Sequence, residues 1–176
     1  IYLGLSNGVG SGIISGGQLF RDNNGNVGEI GHTCINFDGP TCTCGNRGCL
    51  EAYVNMPVIM EKLKLASGLE KITYDDFTLL MHHPDGDAIF QDMVEKLSVA
   101  LVNVVNLLDP QCIIIGHEGT YLPELYLKKL EYLVNTHILA SGYKQILIIK
   151  SIFGQDAPLY GSVCCIFQEI FGGGMM

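Results

Sequence analysis

The stretch from Arg21 to Cys49 constrains the fold most strongly, because it has too few apolar residues to fold by burying them. Gly, Asn, Asp, Pro and Cys dominate it, and these residue types are typical of turns and loops. Three of the chain's seven cysteines lie there within eight positions, at Cys42, Cys44 and Cys49. Some constraint other than a hydrophobic core must therefore order this segment.

A metal ion is the ordering constraint that these residue types favour. Together with His32, the three cysteines supply one imidazole and three thiols, the donors that Zn²⁺ takes in a closed tetrahedral site. Metal binding would order the segment, because the free energy of binding becomes free energy of folding. The spacing differs from that of a paired Cys-x-x-Cys finger, so free buried thiols or a disulfide are the alternatives. Cys34 is an alternative ligand in the same segment.

The charge balance excludes one class of partner for this chain. It has 10 Lys and Arg against 18 Asp and Glu, a formal net charge of −8, which would repel a phosphate backbone. This chain by itself is therefore not expected to bind DNA.

The expected location of the protein in the cell follows from two sequence signals that the chain lacks. No signal peptide opens the chain, and no apolar run approaches the roughly 20 residues needed to cross a bilayer. We therefore expect a cytoplasmic protein with no membrane partner. Cytosolic thiols stay reduced, so this location favours the metal over a disulfide.

The chain opens on a strand-like run, Ile1 to Leu5, without a methionine or a polar lead-in. This start predicts that a preceding part of a larger protein is missing. The next segment, Ser6 to Gly12, is rich in glycine and is expected to form a tight backbone loop that approaches a ligand closely. Residues 13–20 then carry a Ser-Gly-Gly turn between short apolar runs, which predicts a hairpin.

The remainder alternates helices with short apolar strands, an α/β layout. Helical patterning runs from about Cys49 to Gly68 with a break near Pro57, and Thr73 is a predicted N-cap for a short helix. The three- and four-residue spacing of apolar side chains predicts the longest helix over 85–108, buried at the centre. The later predicted elements are a strand at 112–116 buried on both faces, a helix at 122–139, a second buried strand at 146–149, and an apolar helix at 158–171.

One motif in the chain resembles a known family. The run Gly28-Glu29-x-Gly31-His32, followed by Cys42-x-Cys44-Gly45-x-x-Gly48-Cys49-x-Glu51, resembles the pattern of the ROK family of sugar kinases and sugar-responsive repressors. A looser resemblance covers the glycine-rich start and the passage from Asn106 to Pro110. The resemblance implies an actin-like, ribonuclease-H-like α/β fold. Residues 1–176 would form its C-terminal lobe, and the zinc-stapled loop would span about 28–51.

The resemblance also assigns residues to ligands. It implies a structural zinc on His32, Cys42, Cys44 and Cys49, and a sugar contacted by Glu29, His32 and Glu51. Elementary chemistry agrees with these assignments, because carboxylates accept hydrogen bonds from sugar hydroxyls. A metal-bound imidazole also has its second ring nitrogen held in a fixed orientation as a donor.

Departures from the family pattern bear on catalysis. ROK kinases carry a Gly-Thr-Gly-Val-Gly-Gly-Gly type of loop where this chain reads Ser6-Asn7-Gly8-Val9-Gly10-Ser11-Gly12, so Asn7, Gly8, Gly10 and Gly12 are a remnant of the phosphate loop. A glycine-rich turn near the adenosine is replaced by Gly116-His117-Glu118-Gly119. His117 and Glu118 are either loop residues or part of an altered nucleotide pocket, and their side chains should hinder an adenine nucleotide. No catalytic residue is assigned.

The resemblance with these departures favours a sugar-sensing effector and dimerisation domain of a ROK transcriptional repressor. A sugar or sugar derivative would be the effector. The protein would be a homodimer or a larger homo-oligomer, and would contact DNA only through an N-terminal winged helix-turn-helix outside this chain. The alternative enzyme is the C-terminal lobe of a kinase that uses ATP and Mg²⁺ to phosphorylate a hexose or an N-acetylhexosamine. A further alternative is a purely structural dimerisation lobe held together by zinc.

Overall fold

A four-stranded mixed sheet carries the fold in the computed structural model, which describes residues 1–21 and 24–171. The strand order is β2-β1-β5-β6. β1 (Tyr2–Leu5) runs antiparallel to β2 (Val9–Gly12) and parallel to β5 (Cys112–His117), and β5 runs parallel to β6 (Leu147–Lys150). The predicted hairpin is confirmed as β3 (Ile14–Ser15) paired with β4 (Gln18–Leu19).

The helices confirm the predicted α/β layout with small shifts at their ends. The longest helix, α4, begins one residue earlier than predicted, and the helix predicted at 122–139 begins only after Pro123. The first helical region breaks at Asn55, whose Oδ1 accepts a hydrogen bond from the Val58 N–H at 2.9 Å and so caps the second helix. The helices are α1 (Glu51–Val54), α2 (Met56–Ser67), α3 (Phe77–Leu80), α4 (Pro84–Leu108), α5 (Glu124–His137) and α6 (Ala157–Phe171).

The hydrophobic core lies between one face of the sheet and the helices α2, α4 and α5. Alternate strand residues point to the same face of a sheet, so Leu3 and Leu5 share the buried face with alternate residues of β5. The fully buried aromatic side chains Phe77, Phe90 and Tyr126 form a contact chain across the helices, with centroid separations of 5.1 and 4.9 Å. As predicted, α4 is the central buried helix, with buried side chains along its length.

The opposite face of the sheet is not buried as the sequence predicted. Leu147 and Ile149 on β6 are 59% and 45% exposed, so the prediction of a second fully buried strand is wrong. Cys112 and Ile114 on β5 are only half-buried, which corrects the prediction of two covered faces for that strand too. The physical reason is that α4 and α5 pack together and cover one face. Within residues 1–21 and 24–171, no helix is long and apolar enough to cross a membrane.

The free edge of β6 is closed by side chains of α5. Asn135 is buried, and its side chain accepts from the Ile146 N–H at 2.7 Å and donates to the Ile146 carbonyl at 2.9 Å. Glu131 accepts from the Ile148 N–H at 2.8 Å. These contacts satisfy backbone groups that an exposed sheet edge would otherwise present to another chain. This role could not be predicted from the sequence, because a polar residue on an amphipathic helix is usually on its solvent face.

Replacing Asn135 by Ala is therefore expected to destabilise the fold by roughly 2–5 kcal/mol, since two buried backbone groups lose their partners. Urea unfolding followed by circular dichroism would measure the loss. The matched control is Asn103→Ala on the exposed side of α4, which should change the free energy of unfolding by less than about 0.5 kcal/mol. Equal effects of the two substitutions would contradict the edge-closing role.

Candidate functional site

The four predicted metal ligands come together in the structure. The side-chain donor atoms of His32, Cys42, Cys44 and Cys49 all lie within 4.8 Å of one another. Cys44 Sγ is 3.7 Å from Cys49 Sγ, and Cys42 Sγ is 3.6 Å from His32 Nδ1. For zinc bond lengths of about 2.3 Å to sulfur and 2.0–2.1 Å to nitrogen, tetrahedral corners are about 3.8 Å and about 3.6 Å apart. The donor set and its spacing therefore fit a tetrahedral metal ion.

Local backbone pairing positions these ligands. Thr41 and Arg47 form an antiparallel bridge, and inside it the Cys42 N–H donates to the Asn46 carbonyl at 2.7 Å. The Gly45 N–H donates back to the Cys42 carbonyl at 3.0 Å. Gly45 has a φ of +90°, which side-chain-bearing residues rarely adopt, so glycine is required for this knuckle.

The thiols of the cluster do not share one pKa. A hydrogen bond from the Cys44 backbone N–H lowers the pKa of Cys42 to about 7. Burial raises the pKa of Cys49 to about 12, and the neighbouring Cys44 and Cys42 sulfurs add to this rise. Ionising Cys42 and Cys49 together therefore needs a compensating cation, and a coordinating metal deprotonates its thiol ligands. A metal ion in the cluster would supply this charge.

Cys34 stands outside the ligand cluster although it lies in the same segment. It is exposed, whereas Cys49 is fully buried, and its sulfur is not among the four clustered donors. All seven cysteines are free thiols in the structure. The geometry favours the set of His32, Cys42, Cys44 and Cys49 over one in which Cys34 substitutes for a ligand.

Glu51, a predicted sugar ligand at the start of α1, connects the cysteine knuckle to the glycine-rich segment. Its Oε2 accepts from the Val9 N–H at 2.9 Å, and its Oε1 accepts from the Thr43 hydroxyl at 3.4 Å. A Cβ placed on Gly8 would lie 3.1 Å from the same Oε2, so the carboxylate sits close against the turn. The sequence did not predict that Val9 and Thr43 donate hydrogen bonds to Glu51, because a backbone N–H and a single loop threonine form no recognisable sequence motif.

Glu29, the second predicted sugar ligand, is exposed and directly precedes a turn of 3₁₀ helix at Ile30–His32. The segment is fastened to β2 by Ser11, whose N–H and hydroxyl both donate to the Gly28 carbonyl, at 2.8 and 2.9 Å. A Cβ on Gly31 would lie 2.1 Å from the Val9 carbonyl oxygen, so only glycine allows this approach. Val9 therefore contacts both the Glu29–His32 segment and Glu51. The substitution of Ser11 for a family glycine was the signal that could have revealed this fastening.

The glycine-rich segment differs from the predicted loop. Residues Val9–Gly12 form the strand β2, and only Ser6 to Gly8 turn, closed by the Ser6 N–H donating to the Gly8 carbonyl at 2.9 Å. Of the predicted phosphate-loop remnant, Asn7 is exposed in the turn, Gly8 and Gly10 line a cavity, and Gly12 lies at the end of β2. The strand forms because β1 pairs with it in register, from Leu5–Val9 to Tyr2–Gly12.

His117 lines that cavity together with residues of the glycine-rich segment. The cavity has a volume of 290 Å³ and is open to solvent. The His117 side chain reaches to within 3.0 Å of a Cβ built on Gly4, and its φ of +54° is rare for a side-chain-bearing residue. Glu118 lies beside it, with 3.9 Å between His117 Nδ1 and Glu118 Oε2. The cavity is lined by Tyr2, Gly4, Ser6, Gly8, Gly10, Ser11 and His117.

Comparison with known proteins decides the family. The model of the ROK family matches residues 1–169. The chain belongs to the ROK family. This ROK chain is 29% identical to the xylose repressor of Caldicellulosiruptor bescii, in an alignment that covers 97% of this chain. It is 31% identical to the xylose repressor of Bacillus subtilis, in an alignment that covers 92% of this chain. It spans less than half of these relatives, 46% and 42% of their respective lengths.

The solved structures agree on the fold of this ROK chain. It superposes on the ROK hexokinase of Thermus thermophilus with a TM-score of 0.82 at 24% identity, covering 98% of this chain and 58% of the hexokinase. The actin-like α/β fold expected from the motif is thus confirmed. Because kinases and repressors of the family share this fold, the fold itself does not separate the two functions.

The clustered donors predict about one equivalent of bound divalent metal in protein purified without added metal. Cys44→Ser should reduce it to well under half an equivalent, because a hydroxyl is a far weaker metal ligand than a thiolate. Elemental analysis after gel filtration measures the content. Cys164→Ser, a thiol exposed on α6, is the matched control and should leave the content unchanged. Less than about half an equivalent in the unsubstituted protein would contradict the metal site.

Proposed function

We propose that this chain is the C-terminal lobe of a longer ROK repressor, in which it binds a sugar effector and contributes to dimerisation. The observation that carries the proposal is the combination of an intact Glu29, His32 and Glu51 motif with a phosphate pocket that contains His117. The chain is similar over nearly its whole length to proteins named xylose repressors, and this similarity also supports a repressor over a kinase. Its share of their length, under half, supports its being one part of a longer protein.

The proposed sugar site uses Glu29, which is exposed, and His32 and Glu51, which are half-buried. Glu51 accepts one strong backbone hydrogen bond from Val9, and an ionised carboxylate has about four acceptor positions, so capacity remains for sugar hydroxyls. His32 directs Nδ1 toward Cys42 at 3.6 Å, which leaves Nε2 as the ring nitrogen that can donate to a sugar oxygen. Glu29 offers a further carboxylate on the neighbouring segment. Carboxylates and imidazole together match the hydroxyl-rich surface of a sugar.

Zinc is the metal we propose for the cluster, because one imidazole and three thiolates form a closed tetrahedral shell typical of structural zinc sites. His32, Cys42, Cys44 and Cys49 would hold it. When bound, zinc supplies folding free energy to the loop and fixes the orientation of the His32 ring. The sugar would then meet a preorganised surface, which lowers the entropy lost on binding.

The kinase alternative is disfavoured at the pocket beside β2. A nucleotide needs backbone amides that its phosphates can approach, and the His117 side chain lines this cavity next to Gly4, where it narrows that approach. Glu118 adds a carboxylate 3.9 Å from the imidazole, and like charge raises the free energy of a bound triphosphate. ATP and Mg²⁺ are therefore not proposed as cofactors of this chain.

The proposed response is a population shift. A sugar that binds one arrangement of the two lobes more tightly favours that arrangement, and a dimer would transmit it to a DNA-binding domain elsewhere in the protein. The net charge of −8 supports a division in which that other domain contacts DNA. Apolar side chains are exposed on β6 and α6, for example Ile149 and Ile166. Their exposure supports the proposal that other parts of the assembly cover these two elements.

Glu51→Gln in the full-length protein is expected to weaken sugar binding by about tenfold or more, because a charge-assisted hydrogen bond contributes about 1.5–3 kcal/mol. The amide oxygen can still accept from the Val9 N–H, so the fold should survive. Calorimetry against xylose, glucose and N-acetylglucosamine, with and without operator DNA, measures the effect. Glu61→Gln, exposed on α2, is the matched control. Equal sugar affinity in both variants would contradict the role of Glu51, and operator affinity that no sugar changes would contradict the repressor.

The same full-length protein is expected to show no ATP-dependent phosphorylation of a hexose or an N-acetylhexosamine. A coupled assay for ADP release, run on protein with bound metal and native circular dichroism, provides the measurement. Because the pocket argument depends on two side chains, His117→Gly combined with Glu118→Gly should raise the affinity for a fluorescent adenine nucleotide. Sugar-dependent turnover by the unsubstituted protein would establish the kinase instead.

A further inference from the structure

Cys34 lies directly opposite Cys49 in a short antiparallel bridge of the backbone. The Leu50 N–H donates to the Thr33 carbonyl at 3.0 Å, and the Ile35 N–H donates to the Gly48 carbonyl at 2.8 Å. These two bonds flank the pair, which makes Cys34 and Cys49 a non-hydrogen-bonded pair. In such pairs the Cα atoms are about 4.5 Å apart and the side chains share one face.

That backbone spacing is suitable for a disulfide. Disulfides join residues whose Cα atoms lie about 4.4–6.8 Å apart, so Cys34 and Cys49 can be linked without moving the strands. The bridge is held firmly, because a Cβ on Gly48 would meet the Asn36 carbonyl oxygen at 1.6 Å, and the Gly48 N–H donates to the Pro40 carbonyl at 2.8 Å. The two thiols therefore stay opposite each other.

The two members of the pair differ in exposure and in role. Cys49 is fully buried and supplies one of the four clustered donors, whereas Cys34 is exposed and stands outside the cluster. A metal ion protects the thiols that it coordinates, so Cys34 is the cysteine of this loop that an oxidant in solution meets first. Its neighbour across the bridge is a ligand of the proposed metal.

We infer that Cys34 is an oxidation site of this protein and that it forms a disulfide with Cys49 under peroxide. In the first step hydrogen peroxide oxidises the Cys34 thiol to a sulfenic acid, and one water is released. The Cys49 sulfur then attacks the Cys34 sulfur and the S–S bond forms. The hydroxyl leaves with one proton as a second water; this proton comes from the Cys49 thiol in the metal-free protein, and from solvent where a metal holds Cys49 as the thiolate. Two thiols lose two electrons in total, and one peroxide is reduced to two waters.

The disulfide removes Cys49 from the donor set and leaves His32, Cys42 and Cys44. Three donors hold a structural metal less tightly than four, so oxidation at Cys34 weakens metal binding at the cluster. The inference depends on the thiol geometry and not on the identity of the sugar. Its failure therefore leaves the proposed sugar site untouched, and the reverse is also true.

Peptide mapping of the peroxide-treated chain tests the link. Cleavage after Phe37 and after Arg47 puts Cys34, the Cys42 and Cys44 pair, and Cys49 on three separate peptides. Mass spectrometry without reduction is expected to find the Cys34 peptide joined to the Cys49 peptide in most molecules. Cys44 is the competing partner, since its sulfur is 3.7 Å from that of Cys49. A Cys44–Cys49 link with Cys34 free, or no link at all, would overturn the inference.

Metal release gives a second, independent readout. A chromogenic zinc chelator should detect release under peroxide at least tenfold faster from the unsubstituted protein than from Cys34→Ser. Cys164→Ser, another exposed thiol, should release metal at the unsubstituted rate. Circular dichroism and metal content before treatment check that each variant is folded, and Cys34→Ala serves in place of Cys34→Ser where serine perturbs the loop. Equal release from Cys34→Ser and the unsubstituted protein would overturn the role of Cys34.

Discussion

The segment from Gly28 to Glu51 is the part of the chain that the proposed metal has to stabilise, through the clustered donors of His32, Cys42, Cys44 and Cys49. Few of its side chains enter the core, and its turns rely on glycines such as Gly45 and Gly48 with positive φ. Such a segment pays a large conformational entropy cost without compensating apolar burial. The proposed zinc supplies the missing free energy, and the orientation of the sugar-binding candidates depends on it.

β2 is the second structural support of the site. Val9 on this strand contacts Glu51 through its N–H and Gly31 through its carbonyl, while Ser11 fastens Gly28 next to Glu29. In a kinase of this family, the equivalent glycines would serve a nucleotide. Here the same strand contacts Glu51 and the Gly28 carbonyl next to Glu29, and His117 lines the adjacent cavity. In the proposed function, this strand supports a sugar site instead of a nucleotide site.

Sequence reasoning predicted the features that depend on local pattern. The periodicity of apolar residues located α4 to within one residue, and the motif from Gly28 to Glu51 identified the donors that the structure brings together. It failed where the outcome depends on distant packing: the apolar run of β6 does not reveal that one face is exposed, and Asn135 does not reveal that it closes a sheet edge. The partner of Cys34 could not be predicted either, because backbone pairing across a loop leaves no periodic signal.

The central claim is that the metal-ordered loop presents the sugar site, and the most direct test is sugar affinity with and without metal. Calorimetry of the full-length protein against its best sugar would be run on the zinc-loaded form, on the form stripped by a chelator, and after zinc is restored. The account predicts that stripping weakens binding at least tenfold and that added zinc restores it. The same affinity in all three forms, with native circular dichroism throughout, would contradict it.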